Sequence, residues 1–454
     1  MNQLLARHAL LPDGWARDVH ITWDAQGTLT QVRADAAVAG VPVAEYVLPG
    51  MVNLHSHAFQ RALGGLAERA GPGPDSFWTW RDLMYRFAAT ITPGQIEAIA
   101  AQLFVECLRH GYTSLCEFHY IQRDPSGSTY ARPAEMAERV AAAAGSTGIG
   151  LTLLPVLYSH AGFGAQPLLP KQQRFRTGVD DVLQIVAALE PLRSGQLEVG
   201  AAPHSLRAAG IDQIRALVGG LPQGRPLHIH IAEQQGEVDQ SIAWSGQRPV
   251  DYLLANIAID TRWCLVHATH LTGMETARLA ASGAVAGLCP TTEANLGDGL
   301  FPLEPYIAAG GAFGIGSDSH VSQSPVEELR WLEYGQRLAG QRRNVAASAA
   351  VPDVAQFLWQ GALRGGAQAA GRPVGALAVG KRADLLVLDA THVNLDGADA
   401  ADVMGRFLFA GNDNLVKDVL AGGQWVVRDG VHIVQNIIAS RYTLALHQLR
   451  EVSR

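Results

Sequence analysis

Pro49-Gly50-Met51-Val52-Asn53-Leu54-His55-Ser56-His57-Ala58-Phe59-Gln60 orders the rest of the chain: a short apolar run, two histidines separated by one residue, and an amide three positions on. Side chains of a strand alternate faces, so His55 and His57 leave the same face. Two imidazoles together at a strand end make half of a metal site, although alone they would serve equally as surface histidines. The sequence that follows decides between the two. Strands are predicted at residues 51–54, 113–118, 150–157, 197–202, 227–231, 263–266, 284–288 and 312–315, with alanine-rich helical segments between most of them. Eight such units predict an α/β fold of the (β/α)8 TIM-type barrel, whose strands read as near-continuous apolar runs because both faces are covered. Thr92-Pro93-Gly94-Gln95 and Ser324-Pro325-Val326-Glu327 are helix starts, each with a hydroxyl cap and Pro at the first helical position. An open doubly wound sheet is the alternative, but no Gly-x-Gly-x-x-Gly follows the first strand.

Outside the barrel, strands are predicted at 19–23 and 28–33 around Asp24-Ala25-Gln26-Gly27, and again at 383–389 and 424–428. Neither group can bury a core alone, so the two chain ends are expected to pair into one small β-sandwich domain. This divides the chain into a composite sandwich of 1–48 with 376–435, a barrel of 49–375, and a C-terminal helix of 436–454. The 454 residues are 48% hydrophobic and 17% charged, enough for one large and one small domain. The net charge of -7 argues against nucleic acid as a partner. No basic leader precedes an apolar core and no apolar run would span a bilayer, so neither secretion nor a membrane is expected. Cys107, Cys116, Cys264 and Cys289 have no Cys-x-x-Cys spacing and read as buried thiols of a reducing cytoplasm.

Active sites of such barrels lie where the strands end. The first strand ends in His55 and His57, the fifth in Leu227-His228-Ile229-His230-Ile231-Ala232-Glu233, the sixth in Leu265-Val266-His267, and the eighth in Gly314-Ile315-Gly316-Ser317-Asp318. His228, one step deeper on the same face, competes with His230, which is preferred. Glu233 alone could be a solvated loop residue, and His267 and Asp318 could cap the helices that follow. Gathered at one barrel mouth, they predict a site.

This combination resembles the amidohydrolase superfamily, in its deaminase branch, over nearly the whole chain, including the return at Val379-Gly380-Lys381-Arg382-Ala383-Asp384-Leu385. The resemblance implies His55, His57, His230 and Asp318 as ligands of one divalent metal ion, Zn in preference to Fe, with a water completing the site. Binuclear relatives add a carboxylated lysine after strand four. Pro203-His204 stands there, and none of Lys171, Lys381 and Lys417 is near, so a mononuclear site is implied. Asp318 and His267 would orient the water and take its proton, while Glu233 would pass a proton to the leaving nitrogen.

The remaining polar residues near the strand ends are Gln60, Arg81, Tyr120, His204 and Arg207. Two arginines beside a metal suggest a small anionic substrate, because guanidinium pairs with carboxylate through two hydrogen bonds. Arg61 ranks behind them, since strand alternation does not clearly bring it inward. His55-Ser56-His57-Ala58-Phe59-Gln60-Arg61-Ala62-Leu63, Phe77-Trp78-Thr79-Trp80-Arg81, Cys116-Glu117-Phe118-His119-Tyr120, Ala202-Pro203-His204-Ser205-Leu206-Arg207 and His228-Ile229-His230-Ile231-Ala232-Glu233-Gln234 look like the family of deiminases acting on N-formimidoyl-L-glutamate. That resemblance implies hydrolysis to N-formyl-L-glutamate and ammonia in histidine degradation. Arg81 and Arg207 would meet the two carboxylates, with Gln60, Tyr120 and His204 as hydrogen-bond partners. It implies a cytoplasmic enzyme, with a homodimer as the common state of the superfamily. A deaminase of aminopurines or aminopyrimidines, a chlorohydrolase, and a non-catalytic barrel scaffold are the alternatives. Residues 158–176 are long enough to cover the site, or to form an inert surface loop.

Overall fold

The computed structural model describes residues 2–69 and 77–452. Eight parallel barrel strands run Met51–Ser56, Tyr112–His119, Gly150–Leu157, Leu197–Val199, Leu227–Ile231, Trp263–His267, Val285–Leu288 and Ala312–Ile315. The fourth differs from the prediction, being split into Leu197–Val199 and a two-residue piece, Ala202–Pro203, that pairs with the third strand. Hydrogen bonding divides the barrel into two arcs, strands one to four and five to eight. Single parallel bridges join them, Ser56 to Asp318 at one seam and Ala201 to Leu227 at the other. At the first seam the Asp318 N–H donates to the His55 carbonyl (3.0 Å) and the His57 N–H to the Asp318 carbonyl (3.2 Å). Gly316 allows this approach, since a Cβ there would lie 2.7 Å from that of His55.

The chain ends build one eight-stranded sheet. Its order is Val431–His432, Gln424–Arg428, Val416–Ala421, Leu385–Leu388, Val43–Pro49, Gln3–Leu11, Gly14–Trp23 and Leu29–Arg33. It turns back on itself where Thr28 bridges Arg382 and the Trp23 indole donates to the Gly423 carbonyl (3.0 Å). Strand alternation splits the faces between two cores: Leu385 and Val387 join Leu4, Ile21 and Trp23, whereas Leu386 and Leu388 join the barrel-side core. The strands Gln3–Leu11, Val43–Pro49 and Val416–Ala421 were not predicted. Between the sheet strands Leu385–Leu388 and Val416–Ala421, the helix Val403–Phe409 leaves the sheet and packs on the barrel helices Pro325–Gly340 and Val354–Ala370.

Local signals behave as the residue types dictate. Thr92 and Gln95 form a reciprocal capping box at the start of helix Pro93–His110. Ser324 caps Pro325–Gly340 alone, because Glu327 turns instead to the Ser322 hydroxyl (2.6 Å). In the Asp24–Gly27 turn, Gly27 takes φ +77 and the Asp24 carboxylate accepts from the N–H groups of Gln26 and Thr28. The helix Gln435–Val452 packs on Pro93–His110, and Ser453 and Arg454 lie outside the described residues. All four cysteines are free and buried. Among the described residues no helix is long and apolar enough to cross a membrane.

Candidate metal centre and substrate cavity

His55 Nε2 lies 3.2 Å from His57 Nε2 and 3.0 Å from His230 Nε2. Asp318 Oδ1 is 3.5 Å from the first nitrogen and 3.4 Å from the second. His57 Nδ1 faces the Phe118 carbonyl at 2.9 Å, and His230 Nδ1 faces the His204 carbonyl at 3.0 Å. A carbonyl only accepts, so both Nδ1 atoms carry the proton and both Nε2 atoms present bare lone pairs inward. Burial keeps these imidazoles neutral: it pushes His55 down to about 3, lowers His57, and lowers His230 strongly. Burial would raise the Asp318 carboxyl, but contact with His55 and the charge of His267 hold it well below the usual carboxylate range. Bare nitrogens and an ionised carboxylate converging at such distances suit a divalent cation, and three nitrogens with one oxygen suit Zn. His228 stands apart, with its Nε2 2.9 Å from the Ala369 carbonyl.

The backbone at these strand ends is strained. Ala232, His267, Ala268, Asp318 and His320 all have φ between +48 and +65 or, for Asp318, +47, a region that residues with a Cβ seldom occupy. A directional chain of hydrogen bonds braces these strand ends from behind. Asn53 Nδ2 donates to Ser317 Oγ (2.6 Å), which faces His320 Nδ1 (3.0 Å); His320 Nε2 faces Ser56 Oγ (3.2 Å), which donates to Glu117 (2.7 Å). The Ala58 N–H donates to the other Glu117 oxygen (2.8 Å).

His267 Nε2 stands 3.7 Å from Asp318 Oδ2 and 3.6 Å from Glu233 Oε1, and its Nδ1 is 3.3 Å from Glu293. Burial opposes charge on His267, but Glu233, Glu293 and Asp318 outweigh it and push the imidazole up to about 10. Burial lifts the Glu233 carboxyl to about 7, against the pull of His267 and Arg207. Glu233 is therefore buried at the strand end rather than a solvated loop residue. Neither His267 nor Asp318 caps a helix, those positions being held by Thr272 and Ser324.

One cavity is lined by His57, His230, Glu233, His267 and Asp318 together with Gln60, Arg81, Tyr120, His204 and Arg207. Gln60 Nε2 donates to the Tyr120 hydroxyl (2.9 Å), and burial, with the charge of Arg207, keeps His204 neutral. Arg207 comes no nearer than 3.9 Å to Glu233 and Glu237, and its buried Nε has no hydrogen-bond partner. Arg81 lies over Trp78, 4.5 Å from the ring centroid, and its Nε is likewise unpartnered. Arg61 instead forks Glu106 at 2.6 and 3.0 Å, outside the cavity.

The amidohydrolase family matches residues 46–426, and the N-terminal domain of formimidoylglutamate deiminase HutF matches residues 1–41. The chain belongs to the amidohydrolase family. This amidohydrolase is 53% identical over 451 residues to formimidoylglutamate deiminase of Pseudomonas aeruginosa, covering 99% of this chain and 100% of that protein. It is 28% identical to 8-oxoguanine deaminase of the same species over 85% of this chain and 82% of that one. A Brucella melitensis amidohydrolase structure superposes with a TM-score of 0.94 at 44% identity, covering 99% of this chain and 100% of that one.

Several cavity residues of this amidohydrolase were not predicted from sequence, among them Phe77, Trp80, Met84, Tyr85, Tyr158 and His160. Tyr158 directly follows the third strand, so extending the strand-end reading to aromatic residues would have found it. Tyr85 shares a helix face with Arg81, four residues apart, but that requires the helix Phe77–Ala88, which was not predicted. Residues 158–176 begin as a wall of the cavity. They end tied down, with Phe175 buried and the Arg174 guanidinium donating to the carbonyls of Ala89 (3.0 Å) and Ile91 (2.8 Å).

Proposed function

We propose that this protein hydrolyses the formimidoyl group of N-formimidoyl-L-glutamate, giving N-formyl-L-glutamate and ammonia. The observation that carries the reading is a single cavity lined by His57, His230 and Asp318, by the buried carboxyl of Glu233, and by two guanidinium groups without a carboxylate at hydrogen-bond distance among the described residues. The full-length likeness to the Pseudomonas aeruginosa enzyme supports the same substrate.

In this reading His55, His57, His230 and Asp318 hold one Zn ion. Zn bound there would supply a water activated at neutral pH. Asp318, held ionised, would receive the proton of that water, and the imidazolium of His267 beside it would orient the pair. Glu233, buried and near neutral in its proton affinity, delivers a proton to the nitrogen that leaves. Arg81 and Arg207 bind the substrate carboxylates, and Gln60, Tyr120 and His204 orient the rest. The same reading places the protein in histidine degradation in the cytoplasm.

The test is ammonia release by the zinc-loaded protein from N-formimidoyl-L-glutamate, with guanine and cytosine in parallel and Glu233→Gln as control. Release from the glutamate derivative alone, abolished in the variant with zinc content unchanged, is the expected result. Turnover of a nucleobase alone would refute the substrate, and no turnover of any of them with zinc bound would favour a non-catalytic barrel.

A further inference from the structure

Tyr85 and Tyr158 reach the cavity wall from two separate segments, and their hydroxyls lie 3.3 Å apart. Behind them is the buried amide of Gln172, from the short helix Pro170–Phe175. Its orientation is determined by the backbone: the Leu169 N–H donates to Gln172 Oε1 (2.9 Å), so Nε2 must be the group that faces the phenols. Gln172 Nε2 donates to the Tyr158 oxygen at 2.9 Å and reaches the Tyr85 oxygen at 3.4 Å.

A count of protons follows from this arrangement. The two phenols own two O–H protons, and one can be used between their oxygens. The amide behind them offers only donors, so the other proton has no acceptor in this trio. The surrounding charge is positive as well: Arg207 and Arg81 both act on Tyr158, and the Arg81 guanidinium lies 5.4 Å from the Tyr85 ring centroid. This corner of the cavity is therefore rich in donors, and the ligand chemistry that completes it is an anionic acceptor.

We propose that Tyr85 and Tyr158, oriented by Gln172, form with Arg207 and Arg81 the subsite that reads the side-chain carboxylate of the substrate. The assignment rests on the function proposed above and extends it to residues that determine specificity. The side-chain carboxylate is favoured over the α-carboxylate by position. Ring contacts run from His230 to His204 at 4.9 Å and from His204 to Tyr158 at 4.7 Å, which sets the phenols beyond His204 as seen from the metal cluster. The side-chain carboxylate is likewise two bonds further from the reacting carbon than the α-carboxylate. A side-chain carboxamide would present an NH2 group to donors and be rejected.

The experiment compares wild type, Tyr158→Phe, Tyr85→Phe and the double variant on N-formimidoyl-L-glutamate and N-formimidoyl-L-glutamine. Binding of N-formyl-L-glutamate by calorimetry is measured alongside. Loss of one hydrogen bond to a charged group is expected to raise KM about 10- to 100-fold in Tyr158→Phe. In that variant kcat should stay within about threefold, and the preference for the carboxylate over the carboxamide should shrink by a similar factor. A purely packing role would leave that preference intact, and melting temperature and zinc content identify a variant that is merely misfolded. Unchanged KM and preference in both single variants and the double variant overturn the subsite. If wild type does not turn over the glutamate derivative, the proposed reaction fails. Calorimetry then still judges the subsite, which is overturned if N-formyl-L-glutamate does not bind or binds wild type and the double variant alike.

Discussion

Arg207→Met should be the most damaging change among the residues that bind the substrate carboxylates. In the structure the Arg207 guanidinium has neighbours at 3.9 Å, Glu233 and Glu237, but among the described residues no carboxylate at hydrogen-bond distance. A substrate carboxylate accepting two charge-assisted hydrogen bonds from it gains about 1.5–3 kcal/mol from each. If water entering the truncated site recovers about half, a net loss of about 1.5–3 kcal/mol remains, or roughly 10- to 150-fold in kcat/KM, expressed mainly in KM. A second consequence separates this residue from a generic loss of binding. Arg207 is one of the charges holding the Glu233 carboxyl down against burial, so its removal should extend the protonated form of Glu233 to higher pH. The alkaline limb of the kcat profile should move upward in Arg207→Met and stay in place in Arg207→Lys, which keeps the charge but loses the planar fork. The assay is steady-state ammonia release across pH on N-formimidoyl-L-glutamate. A KM within about threefold of wild type in Arg207→Met, where at least roughly tenfold is expected, would sink the argument.

Other changes separate positions that look alike in sequence. His230→Asn should lose bound zinc and activity together, measured by metal analysis after gel filtration, while His228→Gln should retain both. Arg61→Met breaks the forked pair with Glu106 and should lower stability by about 1–3 kcal/mol with KM unchanged, read by denaturation alongside kinetics. His228 also carries a pH signature. Burial pushes it down to about 4, below its unfolded value of about 6.5, so the unfolded chain binds the extra proton in that window and stability falls as pH drops through it. Between about pH 7 and 5 this one group should contribute about 2 kcal/mol of acid lability, and His228→Gln should remove that increment from the denaturation midpoints. Equal acid sensitivity in the variant would place the effect elsewhere.

The barrel was legible because its strands are covered on both faces and so appear as apolar runs at regular spacing. The sheet of the chain ends was less so. Gln3–Leu11 carries Arg7 and His8 at mid-strand, and Val43–Pro49 alternates with Glu45, so neither shows the apolar run that marked the barrel strands. At the mouth, the choice between His228 and His230 could not be made from alternation, which puts both on one face; only depth along the strand separates them. Glu117, Glu293 and Tyr158 had no metal-ligand spacing to announce them. The positive φ of His267 and Asp318, residues with a Cβ, has no sequence signal, because the surrounding structure imposes it.

The division of the barrel into two arcs has a mechanical meaning. His55 and His57 belong to the arc of strands one to four, while His230 and Asp318 belong to the arc of strands five to eight. The seam between strands one and eight is held by one bridge and by side chains that cross it, such as Asn53 to Ser317. An ion on that quartet would thus be a fastener across the two arcs of the cylinder, and its removal would free the half-barrels to breathe against each other. Chelation should accordingly speed amide exchange at the ends of strands one and eight well before it reaches the middle of either arc.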